Sequence, residues 1–151
     1  MRSLLLLTAL AACGGASDSP NATVKGVTPE ELVASDDALD DVTITVDFDD
    51  GDGDLGTGTA EVHDCRGDGL ITKLPLPEIA PEGRVGDHIS GTLELHVNDV
   101  GYIAPDTQPA VCSELGVASL SASETVFCVV LVDVAGHRGD GDCTTTIVLN
   151  E

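Results

Sequence analysis

The alternation of apolar and polar residues along the chain predicts β-strands rather than long helices. The clearest strand covers residues 42–48, where Val42, Ile44, Val46 and Phe48 alternate with polar residues. A period of two is the signature of a strand that buries one face. Shorter runs predict further strands at residues 59–65, 70–76, 92–97, 125–134 and 144–149.

One of these strands and two further segments complete the predicted fold. Residues 125–134 are almost wholly apolar, as expected of a central strand that is covered on both faces. Residues 98–123 show no sustained period and predict a long connection with room for one helical turn. Residues 28–31, Thr-Pro-Glu-Glu, fit a capping box and predict another helical turn. Several short strands separated by turn signals predict an all-β sandwich or barrel.

Two segments of the chain resemble a known family of β-sandwich domains. Residues 132–138, Val-Asp-Val-Ala-Gly-His-Arg, resemble the Asp-x-Ala-Gly-Asn turn between the last two strands of bacterial immunoglobulin-like domains. Residues 42–55, a strand that runs into an Asp-Gly-rich loop, resemble an early strand and loop of the same domains. The resemblance implies an immunoglobulin-like antiparallel β-sandwich of about seven strands at residues 24–151. His137 stands where asparagine is usual, and we expect it to cap backbone groups in the same way.

The N-terminus has the features of an export signal. One positive charge at Arg2 precedes an apolar run at residues 4–12 that is too short to span a bilayer. The residues Leu10-Ala11-Ala12-Cys13 resemble the lipobox of bacterial lipoproteins. The resemblance implies that residues 1–12 are a cleaved signal peptide, that Cys13 carries lipid, and that residues 13–23 form a flexible tether. An ordinary signal peptide with an incidental cysteine is the alternative.

The predicted location is the cell envelope. Gly14 follows Cys13, so the aspartate that retains enteric lipoproteins in the inner membrane is absent. The lipobox resemblance therefore favours the outer membrane, on its periplasmic face or at the cell surface.

Composition excludes several classes of partner. Without residues 1–12 the chain has five basic and 27 acidic residues, which gives a net charge of −22. Nucleic acid is excluded because its phosphates need clustered Lys and Arg, and contact with the membrane is expected through the lipid alone. The chain has two Phe, one Tyr and no Trp, so a sugar site built on aromatic platforms is not expected.

The cysteines predict two disulfides. Cys65, Cys112, Cys128 and Cys143 remain after Cys13, and an even number in an exported chain without a CxxC pair favours structural bridges. If the hairpin at residues 132–138 centres between residues 135 and 136, Cys128 faces Cys143. Cys65 would then pair with Cys112, whereas a two-residue shift of register would favour another of the three connectivities.

An acidic loop is the strongest candidate for chemistry. Asp50, Asp52 and Asp54 alternate with glycines, and a flexible run of carboxylates is typical of calcium sites. Leu55 stands where an EF-hand needs glycine, so the loop is not an EF-hand. In an immunoglobulin-like sandwich this loop shares one end with the turn before the last strand. The predicted calcium ligands are Asp49, Asp50, Asp52, Asp54, Asp140 and Asp142. The alternative is a solvated acidic turn without a metal.

The remaining polar residues predict no catalytic machinery. His63 and His96 could face outward on separate strands and, with Asp64, hold a metal weakly, but ordinary surface histidines are the favoured interpretation. No nucleophile elbow, His-Glu-x-x-His or phosphate-binding glycine loop is present, so an enzyme is only a minor alternative. We therefore expect a binding or structural module that contacts other envelope or extracellular proteins. The main alternative is a purely architectural accessory lipoprotein of an envelope or secretion complex.

Overall fold

The structure is a computed structural model that describes residues 18–33, 40–68, 71–77, 79, 87–98, 100 and 106–150. Within these residues the chain forms ten strands and one short helix. In chain order the elements are β1 (Asn21–Thr28), β2 (Glu31–Val33), β3 (Val42–Asp50), β4 (Thr59–Asp64), β5 (Ile71–Pro75), β6 (Ile89–Val97), α1 (Ala110–Glu114), β7 (Glu124–Thr125), β8 (Phe127–Val132), β9 (Asp142–Cys143) and β10 (Ile147–Asn150). The predicted signal peptide and Cys13 lie outside the described residues.

The strands form three sheets, with the orders β1-β3-β6, β2-β10-β7 and β5-β4-β8-β9. All pairs are antiparallel except β2 with β10, which is parallel. The all-β class predicted from the alternating pattern is confirmed.

The main apolar core is formed by residues from all three sheets. On β3 the four alternating apolar side chains are buried, and on β6 the three apolar residues paired with them are buried as well. The core also takes in apolar residues from β1, β2, β4, β8 and β10. The polar residues of β3 are at least partly exposed up to Asp49, and the pattern breaks at Asp50, which is fully buried.

Strand β8 is covered on both faces, as its apolar sequence predicts. Phe127, Val129 and Leu131 point into the main core. On the opposite face Cys128 belongs to a second apolar cluster, which is formed mainly by the segment around α1. That segment is the predicted long connection, and α1 is its one helical turn.

Two predicted elements differ from the structure. The helical turn predicted at residues 28–31 is wrong, because β1 ends at Thr28 and Glu30 accepts a hydrogen bond from Val148 N–H in β10 at 3.2 Å. The closing strand predicted at residues 144–149 is shorter in the structure, because only residues 147–149 lie in β10 and residues 144–146 are not in a strand. In the first of these elements, pairing with a distant strand outweighs the local signal.

The first strand begins earlier than the tether prediction allows. β1 starts at Asn21, inside the segment expected to be flexible, and Asn21 pairs with Asp49 at the end of β3. Ala22 N–H also donates to the carbonyl of Asp140 at 3.3 Å. The chain therefore enters the domain at the same end as the acidic loop.

Candidate metal centre

The acidic loop, residues 50–55, folds back on the side chain of Asp50. Asp50 is 0% exposed, and its Oδ2 accepts a hydrogen bond from Leu55 N–H at 2.7 Å. Leu55 is itself buried in the core and anchors the far side of the loop. Gly53 has a φ of 72°, a left-handed conformation that glycine adopts without strain.

Three carboxylate oxygens of this loop are buried without a partner. They are Oδ1 of Asp50, Asp52 and Asp54, and none has a hydrogen-bond partner among the described residues. A buried oxygen that makes no hydrogen bond costs about 1–3 kcal/mol, and more when it is charged. Three such oxygens on alternate residues of one loop are candidate ligands for a cation, because calcium prefers carboxylate oxygens from a flexible loop.

The pKa values of two aspartates in the loop are raised by burial and by repulsion between neighbouring carboxylates. Burial raises the pKa of Asp50, and the charges of Asp52 and Asp133 raise it further, against the lowering effect of Leu55 N–H. Burial, followed by the charges of Asp133 and Asp52, raises the pKa of Asp54 to about 6. The protein without a metal therefore disfavours the charged forms that a cation would stabilise.

A turn between β8 and β9 supplies a fourth carboxylate that the sequence analysis missed. The His137 turn, residues 133–138, places the Asp133 side chain next to the acidic loop with 0% exposure. Its charge raises the pKa of both Asp50 and Asp54, and the N–H of the next residue, Val134, lies 3.5 Å from the carbonyl oxygen of Asp54. Asp133 belongs to the turn that resembles immunoglobulin-like domains, and that turn was the one available signal for it.

His137 holds Asp133 in place. Its backbone N–H donates to Asp133 Oδ1 at 2.8 Å, and its ring Nδ1 lies 3.0 Å from Asp133 Oδ2. The charge of Asp133 raises the pKa of His137. His137, Asp52 and Asp54 each have one potential ligand atom, and these three atoms lie within 4.8 Å of one another.

The other three predicted ligands lie elsewhere. Asp49 is mostly exposed, and its Oδ2 lies 2.7 Å from Nε2 of His88. Both oxygens of Asp142 accept backbone N–H groups, from Val24 at 2.8 Å and from Cys143 at 2.9 Å. Asp140 is exposed, and its backbone carbonyl is the group that pairs with β1. The structure therefore brings together Asp50, Asp52 and Asp54 and leaves the remaining three outside the cluster.

His63 differs from the predicted surface histidine. It is 5% exposed on β4, and burial followed by the charge of Arg138 lowers its pKa. Its Nε2 lies 3.3 Å from Arg138 and 3.8 Å from Glu61, which also binds Lys73 at 2.8 Å. Because Asp64 is engaged by Arg66 and His96 contacts Thr43, the suggested weak metal site of His63, His96 and Asp64 is not assembled.

The four cysteines among the described residues form two disulfides. Cys65 is joined to Cys112 and Cys128 to Cys143, with Cα–Cα distances of 5.8 and 4.0 Å. Cys128 and Cys143 face each other in the strand register. Sγ of Cys65 lies 3.4 Å from Sγ of Cys128, so the two bridges are adjacent beneath α1. Because every one of these sulfur atoms is bonded, none is available as a thiolate metal ligand.

Comparison with known proteins gives no relative. No protein-family model, curated protein or solved structure matches the chain. In the described residues, no helix has both the length and the apolar character needed to cross a bilayer. The acidic loop and its neighbouring turn therefore carry the functional interpretation.

Proposed function

We propose that the chain is a lipid-anchored envelope protein whose immunoglobulin-like β-sandwich is stabilised by calcium bound at the acidic loop. The observation that carries the proposal is the set of three buried carboxylate oxygens, from Asp50, Asp52 and Asp54, that have no partner among the described residues. The proposed module binds or supports another envelope or extracellular protein and catalyses no reaction.

Calcium is the cation that fits this set of donors best. Calcium takes six to eight oxygen ligands in flexible geometry, whereas magnesium demands a near-ideal octahedron and keeps several waters. The loop offers carboxylates from alternate residues and two glycines within the same five positions. Soft metals prefer thiolates, and the cysteines of the described domain are all in disulfides.

Two features support an extracytoplasmic location. Disulfides persist in oxidising compartments, and this domain holds two of them close together. Calcium sites of extracellular modules work at affinities of about 10⁻⁴–10⁻³ M, which a loop of a few carboxylates can supply. Both features agree with the export and acylation that the lipobox residues imply for Cys13.

The sheet arrangement supports the immunoglobulin-like proposal. Residues of the sheet β1-β3-β6 and of the sheet β5-β4-β8-β9 share one core, to which β2 and β10 of the third sheet also contribute, and a core shared between sheets is what a sandwich requires. The turn with the family resemblance joins β8 to β9, two neighbouring strands of the second of these sheets. Loops at one end of such a sandwich come together, which brings the acidic loop to the His137 turn.

Calorimetric titration of the purified, chelator-treated protein with calcium tests the proposal. We expect saturable binding of one calcium ion per chain and a marked loss of affinity in Asp52→Asn, which removes one charged ligand. Asp140→Asn is the matched control and should bind as the parent does, because Asp140 is exposed outside the cluster. No binding heat with millimolar calcium, or tighter binding of zinc than of calcium, would reject the calcium centre.

Intact-mass spectrometry of the membrane fraction tests the anchor. The expected chain begins at Cys13 and carries the added mass of acyl chains, and Cys13→Ala should abolish both the cleavage before residue 13 and the added mass. A chain that begins at Met1 with five free thiols would reject both the anchor and the oxidising location.

A further inference from the structure

The acidic loop connects two sheets of the domain, and the His137 turn lies in the second of them. The loop leaves β3, in the sheet β1-β3-β6, and leads into β4, which pairs with β8 in the sheet β5-β4-β8-β9; the turn follows β8. Val134 N–H in the turn lies 3.5 Å from the carbonyl of Asp54 in the loop. A Cβ on Gly58, just after the loop, would lie 2.2 Å from the carbonyl oxygen of Val132. The two segments are therefore packed directly against each other.

Asp133 is a buried carboxylate beside the acidic loop, and its oxygens keep bonding capacity. Its side chain is 0% exposed, and its charge acts on both Asp50 and Asp54. Each of its oxygens has one short contact with His137, at 2.8 and 3.0 Å. Because a carboxylate has about four lone-pair sites, each oxygen keeps one for a cation.

A fourth carboxylate at this point needs a counter-charge. A histidine can carry at most one positive charge, and the side chain of His137 is 48% exposed, so water would screen that charge and it cannot balance four buried or half-buried carboxylates. Like charges brought together without compensation disfavour the packing of the segments that carry them. A divalent cation among the four carboxylates would reverse this effect.

We propose that Asp133 is a ligand of the same cation as Asp50, Asp52 and Asp54, so that the bound ion links the two sheets. The inference rests on the proposed calcium centre and adds what the ion does there. In this arrangement calcium joins the acidic loop to the His137 turn, and binding is coupled to the docking of the turn. His137 acts as a positioning residue, because its two contacts orient Asp133 toward the loop.

The coupling is measurable by hydrogen exchange and calcium titration of the whole purified protein. Calcium should slow amide exchange at Val134, which donates to the loop, and at His137, which donates to Asp133. Asp133→Asn keeps an oxygen for His137 N–H but removes the charge, and we expect it to weaken calcium binding about 10- to 100-fold. The same variant should lose the calcium-dependent slowing in the turn, while Asp140→Asn should keep both properties.

The outcomes separate this inference from the proposed function. If the parent protein gives no calcium heat, the calcium centre itself is wrong. If the parent binds calcium but exchange at Val134 and His137 stays unchanged, the cross-sheet link is wrong and the loop site stands. Should Asp133→Asn fail to fold, the exchange measured on the parent with calcium and with a chelator still decides between the two results.

Discussion

The carboxylates of Asp50 and Asp142 have different hydrogen-bond partners, although both residues lie in stretches where aspartate alternates with glycine. Both oxygens of Asp142 accept backbone N–H groups, one of them from Val24 on β1. Asp50 has one such bond and one buried oxygen without a partner among the described residues. The sequence cannot distinguish these cases, because the donor to Asp142 is more than a hundred residues away along the chain.

Gly53 offers a test of the loop's backbone. Its φ is 72°, and a Cβ there would lie 2.1 Å from the carbonyl oxygen of Asp87. We expect Gly53→Ala to reduce the free energy of unfolding by about 1–3 kcal/mol and to weaken calcium binding, since the loop must move. Gly116→Ala is the matched control: Gly116 also has a positive φ but open space around it, so it should lose only the backbone contribution of about 1 kcal/mol. Urea unfolding measures both variants, and equal losses would show that the contact with Asp87 is unimportant.

The raised pKa of Asp54 predicts how the stability of the metal-free protein depends on pH. Its pKa is raised from 3.8 to about 6 by burial and by the neighbouring carboxylates, so the folded state holds the proton more tightly than the unfolded chain does. Its contribution to stability is therefore complete below about pH 4 and disappears as the pH rises through about 6.

Unfolding experiments in chelator at several pH values compare the parent protein with Asp54→Asn. The variant should lack the decline in stability between pH 4 and 6 that Asp54 adds to the parent. Parallel pH profiles for the two proteins would contradict the shifted pKa. Calcium should remove most of the decline, because it binds the ionised carboxylate.

At the level of secondary structure, strands with clear alternation were predictable, whereas β1, whose register shifts between Val24 and Gly26, and the shortest strands were not. β3, β6 and β8 were predicted from their own residues, because burial of one or both faces leaves a local pattern. β2, β7 and β9 have only two or three residues each. Such strands exist because a partner strand binds them, and no local pattern reports the partner.

The two disulfides close chain segments of different length. Cys65–Cys112 closes a separation of 47 residues and ties the α1 segment to β4, whereas Cys128–Cys143 closes 15 residues between neighbouring strands. Loop-closure entropy predicts that removing the first bridge costs about 4 kcal/mol and removing the second about 3 kcal/mol.

Paired Cys→Ala variants of each bridge, compared by urea unfolding under oxidising conditions, test this order. Hydrogen exchange should also rise in α1 after loss of Cys65–Cys112, and much less after loss of Cys128–Cys143. A larger effect of the shorter bridge would show that strain or packing, rather than chain entropy, controls their contributions.

At the scale of the whole molecule, three of the six predicted ligands lie in the candidate site, and one carboxylate of the site was not predicted. Asp50, Asp52 and Asp54 were predicted because their spacing is local, and the structure places them together. Asp133 was missed and Asp49, Asp140 and Asp142 lie outside the cluster, because which turn meets the loop depends on how two sheets pack. A net charge of −21 for the full chain does not identify which carboxylates are buried together.

Thermal unfolding in calcium and in chelator tests the calcium centre most directly. A ligand at a tenfold excess over its Kd stabilises the folded state by about 1.4 kcal/mol, which for a domain of this size raises the Tm by on the order of 5 °C. We predict such a rise for the parent protein and for Asp140→Asn, and its loss in Asp50→Asn. An identical Tm in millimolar calcium and in chelator would contradict a calcium-stabilised fold.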